Sequence, residues 1–177
     1  MKRLVLFTAL FFVLAFSSGA FAAGVKIAHI NLQKALNESK AGAAARDDLK
    51  KEFTEHEKEL NVKQQELKKL KDEIDKKGSV WNKETKEAKE KEFQAKVQNL
   101  QKQFADYSDE LNKKKVQREN GIIEGLRDVI KKMAKTQGYD YVFESSMGGV
   151  LHAPEDADIT GAVINAYDEE FKRQNQK

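Results

Sequence analysis

Three histidines, His29, His56 and His152, are the residues in this chain best suited to hold a metal or move a proton. They lie far apart in sequence. Neither His29 nor His56 has a second histidine or a carboxylate at a spacing that stands out as a ligand set, so packing is the expected role. There is no cysteine, which excludes disulfides, thiolate metal sites and a lipidated cysteine. No serine-nucleophile elbow, zincin helix or phosphate loop occurs. No catalytic residue, metal or cofactor is expected, and an enzyme is the poorest reading. The run Lys113, Lys114 and Lys115 could attract an anion, but a solvated helix face accounts for it as well. What remains is contact chemistry. The single tryptophan, Trp81, sits in KKGSVWNKE, within the most charged part of the chain. An indole there either caps a turn by folding over Val80 or Ile74, or offers an exposed, adhesive ring.

The elements that must position such residues begin after residue 22. A basic Met1, Lys2 and Arg3 precede the uncharged apolar run LVLFTALFFVLAF, and Ala20-Phe21-Ala22 has the small residues of a cleavage site. This is read as a secretory signal peptide, residues 1–22, too short and wrongly flanked to be a membrane anchor. Its removal takes two basic residues, leaving 30 basic against 29 acidic, which gives no argument for nucleic acid. Charged residues make up 34% of the chain and Pro154 is its only proline, a composition that suits long exposed helices.

Apolar residues in the middle recur at alternating steps of four and three. One run carries Leu49, Phe53, His56, Leu60, Leu67, Leu70 and Ile74, with Lys63 in the missing slot; the other carries Phe93, Val97, Leu100, Phe104, Tyr107 and Leu111. Both are heptad seams. Folded antiparallel, they mirror each other about residue 80, placing Leu67 against Phe93, Leu60 against Leu100, His56 against Phe104 and Phe53 against Tyr107. Gly78-Ser79 supplies a turn at the mirror point. The expectation is a helical hairpin arm over residues 46–118 with its tip near 78–82. In this pairing Leu70 faces Glu90, so the seam fades towards the tip, and it crosses polar Lys115 and Arg118 at the root.

The two ends of the chain build a body from residues 23–45 and 119–177. GVKIAHIN, DYVFE and VLHA read as three short strands, the last two joined by Gly148-Gly149. Gly138 ends the second long helix, and Asp158 is placed to cap a closing one. Ile122, Ile123, Leu126, Val129, Ile130 and Met133 form a wider apolar stripe suited to a sheet. Gly121 and Gly125 are spaced for close helix packing. The body core is expected at Ile27, Ile30, Ile122, Leu126, Val129, Val142, Ile159 and Val163. Three short strands cannot close or cover a sheet, so association of several copies through the body is expected. The fold class is α+β: a small β-rich oligomerisation body carrying a long antiparallel coiled-coil hairpin.

This layout resembles the Skp/OmpH family of periplasmic chaperones. KIAHINLQKAL (26–36) resembles that family's first strand and short helix, DYVFESS (140–146) its strand after the arm, and DADITGAVINAYDEEFK (156–172) its closing element. The resemblance implies a homotrimer with a central barrel and three arms around a cavity. It also implies a periplasmic location and ATP-independent holding of unfolded outer-membrane proteins. Contact with the outer-membrane assembly machinery is a further expected partnership; lipid contact stays open. The best-known member is markedly basic, whereas residues 46–118 hold 20 basic and 17 acidic side chains. Capture of acidic groups is expected to be weaker here, and no lipopolysaccharide site carries over residue by residue. Client-contact candidates are Val80 and Trp81 at the tip and Val62, Ala88 and Ala95 along the arm. The alternative is a structural or adaptor protein of the cell envelope that docks its arm onto one fixed partner. A chaperone needs dispersed, shallow apolar contacts, and an adaptor needs one concentrated hot spot.

Overall fold

A computed structural model describes residues 24–176. The signal peptide read at residues 1–22 lies outside them. The chain enters strand β1 (Ile27–Ile30) and then a short helix α1 (Leu32–Glu38). Asn31 starts α1 by accepting a hydrogen bond from the backbone N–H of Lys34 at 2.7 Å. Ser39 is fully buried and does the same for the next helix, accepting from Gly42 N–H at 3.2 Å. That helix, α2 (Lys40–Lys77), runs without a break from the body to the tip. After a turn, Asn82 caps α3 (Lys83–Gln137), whose 55 residues return the full length of the arm and continue into the body. At about 1.5 Å per residue α3 is about 80 Å long. Gly138 stops it in the left-handed conformation at φ 72°, the role assigned to it from sequence.

Strand β2 (Tyr141–Glu144) lies parallel to β1, with Ile27 beside Tyr141 and Ile30 beside Glu144. The whole arm is therefore the crossover between two parallel strands. The other edge of β1 takes a single bridge from His29 to Asp158, and Ile159 N–H donates to the His29 carbonyl at 3.0 Å. Among the described residues the sheet has two strands, not three. The stretch 150–153 forms no strand: it does not pair with the outer edge of β2, which stays open, and Leu151 stands 97% exposed. A strand needs a neighbour to satisfy its backbone groups, and among the described residues 150–153 takes none.

A 3₁₀ turn (Glu155–Ala157) leads to the closing helix α4 (Thr160–Asn175). Asp158, expected as its N-cap, sits one residue further out. Its carboxylate accepts from Thr160 N–H at 2.8 Å and from the Thr160 hydroxyl. These bonds outweigh the cost of burial and hold its pKa below the ordinary value.

The core joins both ends of the chain. Ala28 and Ile30 of β1, Leu36 of α1, Ile122, Leu126 and Val129 of α3, and Ile159 and Val163 beside and within α4 are all buried. Val142 is half-buried against them. Ile27 departs from expectation at 50% exposed. Side chains alternate across a strand, and Ala28 and Ile30 take the inward places. Ile27 therefore joins Tyr141 and Phe143 on the outward face. Gly125 lets α4 come close: a β-carbon there would stand 2.7 Å from the Tyr167 ring. Gly121, the other member of that pair, has open space above it.

Candidate functional site

The long hairpin of α2 and α3 is the part of the molecule not absorbed by the body core, and its surface is the candidate site. Leu49, His56, Leu60, Leu67, Phe93, Val97, Leu100, Tyr107 and Leu111 are half-buried along the seam, as their spacing requires. The pairing across the seam differs from the mirror about residue 80. His56 stacks on Tyr107 with ring centroids 3.9 Å apart, three positions beyond the expected Phe104. The slide brings Leu70 to the level of Phe93 instead of Glu90. Leu70 is accordingly buried at 8% exposure, the one buried side chain in the outer arm among the described residues. The seam does not fade towards the tip.

Polar contacts fix this register. Glu52, Glu59, Lys63 and Glu66 recur at steps of seven, four and three on one side of α2, and each reaches α3. Glu52 accepts from Lys114 at 2.8 Å and from Arg118 at 2.8 Å. The Tyr107 hydroxyl donates to Glu59 at 3.0 Å, Lys63 donates to Gln103, and Lys96 lies 3.8 Å from Glu66. Lys114 also pairs with Glu110 at 2.9 Å, and Arg118 with Asp48 at 3.3 Å. The polar root of the arm thus runs through Lys114 and Arg118, not Lys115. The Lys114 ammonium holds the carboxyls of Glu52 and Glu110 below the ordinary carboxylate value, and these two carboxylates push the lysine upward. The hydrogen bond to Glu59 raises Tyr107.

The same register turns two seam residues out. Phe53 is 54% and Phe104 65% exposed, against the expectation that both lie in the seam. They flank it on the side away from the polar contacts. The heptad pattern marks both as apolar positions but carries no sign of this exposure, which depends on the register.

Of the other candidates, Val80 at the tip is 80% exposed and Val62 is 59% exposed. Ala88 and Ala95 are exposed on α3. Trp81 is half-buried, which corrects the reading of an exposed indole and favours the capping one. These residues are spread along the arm, and the fold does not bring them together. His29 lies in β1, His56 in the arm and His152 in the loop before α4. Among the described residues no group of three or more His, Asp or Glu side chains is arranged to hold a metal ion, and no helix is long and apolar enough to cross a membrane.

A body of both chain ends with a long hairpin between them defines a class, and sequence comparison agrees with it. The family described as outer membrane protein (OmpH-like) matches residues 26–167, and the chain belongs to that family. It is 27% identical to the chaperone protein Skp of Photorhabdus luminescens over 164 residues, covering 93% of this chain and 98% of that protein. It is 31% identical to the Skp-like protein of Pseudomonas aeruginosa over 146 residues, covering 80% and 83%. The solved structure of an OmpH-like protein from Caulobacter crescentus superposes with a TM-score of 0.76. It covers 81% of this chain and 84% of that one at 20% identity, a likeness of fold. The Photorhabdus relative is named a chaperone, and the chain, as a member of this family, is not an enzyme.

Proposed function

We propose that the mature chain is an ATP-independent holding chaperone of the periplasm, released from its signal peptide after Ala22, that binds unfolded outer-membrane proteins between the arms of a homotrimer. In this reading residues 23–45 and 119–177 are the trimerising body and residues 46–118 the arm. The observation that carries it is the distribution of apolar surface on a charged arm. Val62, Val80 and the neighbouring Phe53 and Phe104 are each about half exposed or more and lie at three separate places along the hairpin. Many weak contacts hold a chain that has no fixed shape, while an adaptor would concentrate them in one hot spot. Membership of the OmpH-like family, together with likeness to a Photorhabdus protein named as a chaperone, supports the same reading.

The outward sheet face supports self-association. Ile27, Tyr141 and Phe143 are about half exposed, and the two rings stack at 6.1 Å. Beyond them Met147 and Leu151 stand 90% and 97% exposed. A two-stranded sheet with an apolar outer face and an open edge is covered by further copies of itself.

The test is dilution of a urea-unfolded outer-membrane barrel into buffer with the mature protein and without nucleotide. Suppressed light scattering and co-sedimentation with a trimer are expected. Aggregation equal to that of the barrel alone would refute the reading.

A further inference from the structure

We propose that the side of the arm bearing Phe53 and Phe104 is the client-binding face, and that it takes bulky uncharged side chains of an unfolded polypeptide. The inference rests on the chaperone reading and assigns its contact residues. Phe53, Leu60, Phe104 and Leu111 line one groove of about 310 Å³ between the two helices. The groove exists because of the polar contacts across the hairpin. Glu52 precedes Phe53 and Glu59 precedes Leu60, so each step of about 100° sends the carboxylate to one side of the seam and the apolar group to the other. Bonds from Lys114 and Tyr107 hold the first side closed and leave the second open.

The lining selects the occupant. Half the residues of the arm are charged, yet this groove holds no lysine or arginine and a single carboxylate, Glu57. An anionic headgroup or phosphate finds no cation there. Apolar side chains find two exposed rings and two half-buried leucines. The spacing also suits an unfolded chain. With His56 level with Tyr107, Phe53 lies level with Leu111 and Phe104 with Leu60, one heptad or about 10 Å further along the arm. In the polyproline-II conformation common in unfolded chains, side chains three apart share a face and recur about every 9 Å. On a formed strand, same-face side chains recur about every 7 Å.

The test compares the full mature chain with Phe53→Ser/Phe104→Ser. A second variant, Val116→Ser, removes a comparably exposed apolar group of the arm that does not line the groove. The probe is a urea-unfolded, fluorescently labelled outer-membrane barrel. The double variant is expected to bind about tenfold more weakly or worse, since two rings lose their partner. Val116→Ser is expected to match the parent. Thermal melting and sedimentation mass should be unchanged in both. A photo-cross-linking residue in place of Gln64, at the groove, should join to the probe, and one in place of Val116 should not. Equal binding by parent and double variant overturns the inference and leaves the chaperone reading standing. A parent that binds no unfolded barrel sinks both. A change in sedimentation mass means that the face covers a neighbouring copy. Loss of binding to phosphatidylglycerol vesicles in the double variant, without loss of barrel binding, means that it meets lipid. Either result overturns the inference.

Discussion

At the scale of single residues, two positions have duties that the residue types alone leave undecided. Gly125 is one. The Tyr167 ring of α4 occupies the space where its β-carbon would be, at 2.7 Å. Gly125→Ala must push α4 outward or force Tyr167 from its place, and overpacking of this kind costs about 1–3 kcal/mol. A melting temperature several degrees lower is expected by circular dichroism, whereas Gly121→Ala, with open space above it, should be neutral or slightly stabilising through helix propensity. Trp81 is the other. The indole is half-buried at the hairpin tip beside an 80% exposed Val80, the burial expected of a ring that caps the turn. Its fluorescence should lie to the blue of a free indole in the absence of client. Trp81→Ala should lower the melting temperature and leave affinity for an unfolded barrel nearly unchanged. A red-shifted emission and an unchanged melting temperature would restore the exposed reading.

At the scale of elements, the arm is an apolar seam closed along one side by charge. Glu52 and Glu110 share Lys114, and both carboxyls are held below the ordinary value of 4.5. A carboxylate with a depressed folded pKa stabilises the fold fully above its unfolded pKa, and that contribution disappears as pH falls through the lowered value. The arm is therefore expected to lose stability from about pH 4.5 downward. Lys114, raised by the same partners, adds an opposite loss only at strongly alkaline pH. Glu52→Gln should flatten the acid limb of a melting-temperature profile; an unchanged limb would place the acid sensitivity elsewhere. The seam positions were legible in the sequence because a heptad repeats wherever it is read. The register was not. A mirror about residue 80 and a slide of three positions both keep apolar residues together, and the polar contacts across the hairpin, among them Tyr107 with Glu59 and Lys114 with Glu52, hold the second. Two consequences were hidden with it: Phe53 and Phe104 turn out, and Leu70 turns in. The stop at Gly138 needed only a local pattern, whereas the short helix after β1 entered through the family resemblance; Ile30, Leu126 and Val163 are buried where short apolar stripes place them. The third strand failed because pairing is not a local property; the stretch 150–153 has the right residues but does not pair with the open edge of β2.

At the scale of the whole molecule, the two ends of one chain enclose a core that leaves its outer sheet face uncovered, while the arm closes on itself. Ala28, Ile30, Leu126 and Val163 are buried within the body by residues from both ends. Their packing uses α3 only from Ile122 onward and α2 only at its start, around Ala41. The contacts of the outer hairpin run between α2 and α3, as with Lys96 and Glu66 or His56 and Tyr107. The body core is thus independent of the arm, and the proposed trimer contact through Ile27, Tyr141 and Phe143 lies on the sheet. Deleting residues 46–118 and joining the ends with a short Gly/Ser linker should leave a folded body of the same oligomeric state. The linker replaces a closed hairpin, so the added loop-closure cost is small. Light scattering should give three times the mass of the shortened chain, and aggregation of an unfolded barrel should no longer be suppressed. A second variant guards against a body that simply fails to fold: Ile27→Ser/Phe143→Ser in the full chain alters exposed side chains only. It should keep its helical circular dichroism and sediment as a smaller species. A full-chain variant that remains a trimer, beside an armless body that becomes monomeric, would move the self-association from the sheet to the arms.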